Sequence, residues 1–236
     1  MGDRNEARQL LKKSIDNLQM ACDMMNTEPT YFNNLGLSQF EYENYDAALT
    51  SYETAIKLEQ AKINAEKDRS RENLSFYHKN LGLAYYHQEL FKEAKEEYER
   101  AISYNDKNAD NYFNRGNVWL NLGQFKYAHN DYDDAIEREK RNAKFYHAKG
   151  LAFQAEAENL ARQTDPPPTP DDRELEERLI QNAIHYFQLS LQFNRTFISS
   201  MFHLGLMYRR TERFHEALQQ FTEVQKLLED DKTIYI

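Results

Sequence analysis

The chain has 236 residues, of which 40% are hydrophobic and 29% charged, a balance that excludes a disordered segment and allows a sizeable buried core. No run approaches the roughly 18 apolar residues of a membrane-spanning helix, and the N-terminal MGDRNEAR has neither a signal-peptide core nor the Ser or Thr at the sixth position that a myristoylated Gly2 requires, so no membrane association is expected. A formal charge of −9 opposes nucleic acid as a partner, and the single cysteine, Cys22, fits a reducing compartment: the expected location is cytoplasmic, with nuclear and ciliary locations left open.

In chain order, residues 5–25 place Leu11, Ser14, Leu18 and Ala21 at helical spacing and predict one helix. In 29–62, Gly36 is followed twelve residues later by Ala48, then by Tyr52 and Ala55. Residues 63–74 contain neither Pro nor Gly and predict a helical insertion that lengthens the elements on both sides. The series recurs in 75–108 with Gly82, Ala94, Tyr98 and Ala101, and in 109–142 with Gly116, Ala128, Tyr132 and Ala135. In 143–197 it opens at Gly150 and resumes at Ala183, Phe187 and Ser190, after an acidic, Pro-rich insertion around 157–177. Residues 198–231 carry it again with Gly205, Ala217, Phe221 and Val224, and 232–236 read as the start of one more copy, so the chain is expected to be a piece of a longer protein.

The five glycines lie 46, 34, 34 and 55 residues apart, which is one period of 34 with insertions of 12 and 21. Such a period indicates stacked helical repeats, in which each unit buries its apolar face against its neighbours. The series, clearest in the WLNLGQF..A...Y..A of residues 119–135, resembles the tetratricopeptide repeat (TPR). Small residues let two antiparallel helices approach, and aromatics fill the gap to the next unit. The resemblance implies an all-α fold, a right-handed α-α superhelical solenoid of TPR helical hairpins over 1–236. TPR 1 would be 29–62, TPR 2 75–108, TPR 3 109–142, TPR 4 143–197 and TPR 5 198–231, with 5–25 a half-repeat or capping helix and 232–236 the start of a truncated sixth repeat.

Within the second insertion, Pro166, Pro167, Pro168 and Pro170 must break any helix that enters. Thr169 reads as an N-cap with Pro170 at the first helical position and Asp171, Asp172 and Glu174 in the first turn. A long helical hairpin results, its tip dispensable for folding. No Gly-rich phosphate loop, HExxH, CxxC or G-x-S-x-G occurs, so no enzyme activity, metal or cofactor is expected.

By the TPR resemblance, a protein or peptide partner would lie along a concave wall made by the first helices. The wall residues would include Asn34, Lys79, Asn80, Leu83, Tyr86, Asn114, Asn117, Lys144, His147, Leu151, Phe202, Arg209 and Arg210. Asn34, Asn80 and Asn114 fall at one unit position and could grip the main chain of an extended peptide, since an amide both donates and accepts. Lys79, Lys144, Arg209 and Arg210 oppose Glu41 and Asp110, so the wall is positive in an acidic chain and favours an acidic extended or helical segment. The expected function is a non-catalytic interaction scaffold. The alternative is a co-chaperone-type module that binds the C-terminal carboxylate tail of a heat-shock chaperone through Lys79, Asn114 and Lys144; Leu83 and Ala148 depart from that pattern. Phe221, Val224, Leu227 and Leu228 would be left uncapped and predict self-association through the C-terminal end.

Overall fold

The computed structural model describes residues 2–66, 70–163 and 169–233, and among them every regular element is a helix. These are α1 (Gly2–Met24), α2 (Pro29–Glu41), α3 (Tyr45–Ala65), α4 (Glu72–His87), α5 (Phe91–Tyr104), α6 (Ala109–Asn121), α7 (Phe125–Arg138), α8 (Ala143–Gln163), α9 (Pro170–Phe193), α10 (Ile198–Arg210) and α11 (Phe214–Thr233). Packing divides the chain into Met1–Val118 and Trp119–Ile236, the division falling inside α6.

In the first unit, α2 pairs with α3 and α4 with α5, each pair joined by a turn too short for anything but an antiparallel hairpin. The turns reverse through Glu43 and Glu89, both in the left-handed region with φ of 67° and 60°. Pro29 starts α2 at a position where its missing N–H is harmless, and the Asn44 side chain caps α3 by accepting from Ala47 N at 3.4 Å. A Cβ on Gly36 would lie 2.6 Å from the Tyr52 ring, so α2 can meet α3 only because that residue is glycine. Ala48, Tyr52, Leu81 and Ala84 fill the core between the two hairpins. Helix α1 lies on α2, with Ser14 Oγ 3.3 Å from Ser38 Oγ. Helix α3 runs on to Ala65 and has 21 residues where α5 has 14, and α4 begins at Glu72. Asn73 Nδ2 at the start of α4 donates to the buried Glu59 of α3 at 3.2 Å.

In the second unit, α8 and α9 form a long hairpin of 21 and 24 residues. Thr169 and Asp172 close a capping box at the start of α9: Asp172 N donates to Thr169 Oγ1 at 3.2 Å and Thr169 N to Asp172 Oδ2 at 2.9 Å. The Thr169 hydroxyl and amide hold the Asp172 carboxyl below its usual range. Ala157 is fully buried and joins Ile180, Ala183, Phe187, Met207 and Tyr208 in one core. Inserted residues therefore extend the core and are not merely a projection from it. Lys149, 4% exposed, is ion-paired to Asp133, and its ammonium lies 4.7 Å from the centre of the Tyr186 ring. Pro166–Pro168 and Ile234–Ile236, which carry the expectations for the hairpin tip and a sixth repeat, lie outside the described residues.

Candidate functional site

In the first unit the candidate residues lie on α2, α4 and α6. Asn34 is exposed on α2, and Leu83 and Tyr86 are half-buried on α4. The Lys79 ammonium lies 4.9 Å above the ring of Phe76, itself 42% exposed, so cation and ring form one surface feature. Asn114 and Asn117 are half-buried on α6. Asn80 differs from the expectation of an exposed ladder: it is 5% exposed, and its Nδ2 donates to Asn33 Oδ1 at 2.9 Å. Two first helices meet at this point, and a buried amide gains more from a partner than from water it cannot reach. Beside it, Tyr86 packs against His87 and Phe91, with ring centres 5.9 and 5.6 Å away.

In the second unit the candidates lie on α8 and α10. Lys144 is exposed at the start of α8, and Arg209 is exposed near the end of α10. Leu151 packs against the core. His147 is half-buried among Phe187, Phe197 and His203, and its Nδ1 is hydrogen-bonded to Ser200 Oγ at 3.0 Å. Burial, and secondarily the neighbouring His203, pushes its pKa down to about 4. His203 is lowered as well, by burial, and its Nδ1 donates to Gln154 Oε1 at 3.0 Å. Phe202 is 45% exposed beside His203 and Phe221. Arg210 departs from the expectation of a groove cation, because it donates to Glu176 of α9 at 2.5 Å. An arginine engaged by a carboxylate contributes little to an acidic ligand, and this reduces the positive character assigned to the wall.

Among the described residues no group of three His, Cys, Asp or Glu side chains could hold a metal ion, and no helix is long and apolar enough to cross a membrane. Profiles described as tetratricopeptide repeat match residues 29–62 and 75–108. Among solved structures, MamA from Desulfovibrio magneticus RS-1 is 16% identical with a TM-score of 0.63, over 86% of this chain and 96% of that one. YrrB, described as a TPR protein with an unusual peptide-binding site, is 17% identical with a TM-score of 0.57, over 90% of this chain and 93% of that one. The chain carries tetratricopeptide repeats. Its all-α fold is that of TPR solenoids. Human IFIT1, solved as a dimer with m7Gppp-AAAA, shares this fold at 14% identity and a TM-score of 0.67, over 91% of this chain, which spans 46% of it. No curated protein matches the sequence.

Reading the TPR positions alone overlooks Glu176, which lies in the insertion and neutralises Arg210, and the hydrogen bond by which Asn33 occupies Asn80. It also overlooks Lys140 and Arg141, in the loop before α8. A charge scan could have found these two, because REKRN is a basic run in an acidic chain.

Proposed function

We propose that this TPR chain is a non-catalytic protein-interaction scaffold whose first helices bind an extended or helical acidic segment. The helix pairs are read as TPR units 29–62, 75–108, 109–142, 143–197 and 198–231. The observation that carries the reading is the Asn80 to Asn33 hydrogen bond. It ties α4 to α2 and makes a continuous first-helix surface on which Asn34, Lys79, Leu83 and Tyr86 are at least partly accessible. In the second unit Lys144, His147, Leu151, Phe202 and Arg209 supply corresponding first-helix positions. Main-chain contact would rest on Asn34, Asn114 and Asn117, with apolar docking at Leu83, Tyr86 and Phe202.

Fluorescence anisotropy with a labelled peptide of glutamates around one leucine tests this. Binding should weaken with added salt and fall about tenfold in Lys79→Glu/Arg209→Glu, with the melting curve unchanged. Binding insensitive to both would overturn the reading. The chaperone-tail alternative rests on Lys79, Asn114 and Lys144, but Ala148 is 6% exposed where a second, bidentate cation is wanted. A peptide ending in EEVD that loses no affinity on amidation of its C-terminus would remove this alternative.

A second contact surface is favoured by the last two helices. Phe202, Phe214, Leu218 and Leu228 are between 45% and 65% exposed there. Burial of such area is worth roughly 25 cal/mol per Å2, so α10 and α11 are proposed to associate with another chain, including another copy. Sedimentation velocity that shows one monomeric species at every concentration would contradict self-association.

A further inference from the structure

We infer that the recess between the α7–α8 turn and the C-terminal end of α9 is a second binding site, for an acidic protein segment that carries an aromatic or large aliphatic side chain. It lies wholly within the second unit and is a shallow recess, open to solvent, of about 920 Å3. One wall is aromatic: Phe193 is 36% exposed, and Phe197 is half-buried. That wall is fixed from behind. The Tyr146 ring stacks on Phe193 at 5.1 Å, and Tyr146 Oη donates to Lys140 O at 2.8 Å, so the same tyrosine holds both the aromatic wall and the basic loop.

The rim is cationic. Arg138 is engaged by Asp134 at 3.1 Å and does not count toward it. Lys140, Arg141 and Lys144 line the recess, are exposed, and among the described residues none of them is ion-paired. The carboxylates that face them are Glu137 and Glu139, and Glu139 accepts from Asn142 Nδ2 at 3.0 Å. The net-positive rim contrasts with the chain's charge of −9. Three cations against two carboxylates leave the rim one positive charge in excess, which an anionic ligand can meet, and an exposed ring beside it gains by burial. A ligand that is anionic with one apolar group satisfies both conditions. A single-stranded oligonucleotide could offer phosphates and a stacking base, but Glu137, Glu139 and the acidic chain oppose a continuous polyanion.

This site goes beyond the first-helix wall, with which it shares only Lys144. The test therefore uses the full chain carrying Lys79→Glu/Arg209→Glu, so that residual binding reports the recess. Three labelled probes are titrated by anisotropy: a dodecapeptide of glutamates with one central phenylalanine, the same peptide with alanine in its place, and a dodecamer of thymidylate. The phenylalanine peptide should bind, should lose about threefold affinity with alanine, and should lose about tenfold on further Lys140→Glu/Arg141→Glu substitution, while the melting curve stays in place. No binding of the phenylalanine peptide, equal affinity after Lys140→Glu/Arg141→Glu, equal affinity for the two peptides, or tighter binding of the oligonucleotide would each overturn the proposal.

Discussion

Gly150 lies directly against the ring of Phe187: a Cβ on the glycine would fall 2.7 Å from Phe187 Cε1, although 37 residues and the whole Pro-rich insertion separate the two in sequence. The same contact joins Gly36 to Tyr52 and Gly205 to Phe221. Gly150→Ala should therefore force α8 and α9 apart and lower stability by about 1–3 kcal/mol, read as a shifted urea midpoint with an unchanged slope. A midpoint equal to that of the unsubstituted chain would mean that the ring can move aside.

Glu43, Glu89 and Glu212 occupy one turn position with φ between 59° and 67°, between α2 and α3, α4 and α5, and α10 and α11; at the equivalent turn after α6 stands Gly123 with φ of 69°. Left-handed backbone costs a glutamate about 1–2 kcal/mol, and glycine returns part of the gain as unfolded-state entropy. Glu43→Gly or Glu89→Gly should thus raise stability by about 0.5–1 kcal/mol, and Gly123→Ala should lower it by about 1 kcal/mol. Thermal melts of the three variants check both signs.

His147 sets an acid limit. Its neutral form is favoured in the fold, so the unfolded chain takes up the proton first. Its contribution to stability is complete above pH 6.5 and is lost as pH falls toward 4, up to about 3 kcal/mol. His203 shifts in the same direction and should add to the slope. Urea unfolding between pH 7 and 4.5 should show this loss, and His147→Asn should flatten it; an identical slope in the variant would remove His147 as its source.

The insertion should be less dispensable than its Pro-rich sequence suggests. Closing residues 163–171 into a short turn removes the Thr169 capping box, at about 1 kcal/mol. Removing 157–177 also takes away Ala157 and the Glu176 partner of Arg210 and should destabilise the chain clearly more. A double-mutant cycle between Glu176→Gln and Arg210→Gln should give a coupling of about 0.5–1 kcal/mol, as both side chains remain about a quarter exposed. A coupling of zero would show that the pair is incidental.

The helical repeat was legible in the sequence because its determinant is steric and local in pattern: a glycine on one helix faces an aromatic on the next at a constant offset. Tyr52 and Phe221 stand opposite their glycines as that offset requires, and Phe187 does so once the insertion of 21 residues is set aside. The Thr169 cap was legible for the same reason, as residue types three apart decide it. The wall was not fully legible. Position within a repeat indicates the face a residue occupies but not the neighbour it meets, so Asn80 reads as exposed until Asn33 is found beside it, and Arg210 reads as free until the hairpin brings Glu176 to it. The recess lies off the repeat's usual binding positions. Only tertiary structure places Phe193, 53 and 52 residues downstream, beside Lys140 and Arg141.

The most direct test of an acid-binding scaffold is selection of random peptides displayed on phage against the immobilised full chain, with isothermal titration of the enriched sequences. Enriched peptides should be acidic with at least one large apolar residue, and their affinity should fall about tenfold in Lys79→Glu/Arg209→Glu or in Lys140→Glu/Arg141→Glu. Enrichment of basic or uncharged sequences, or affinities indifferent to both pairs of substitutions, would contradict the account.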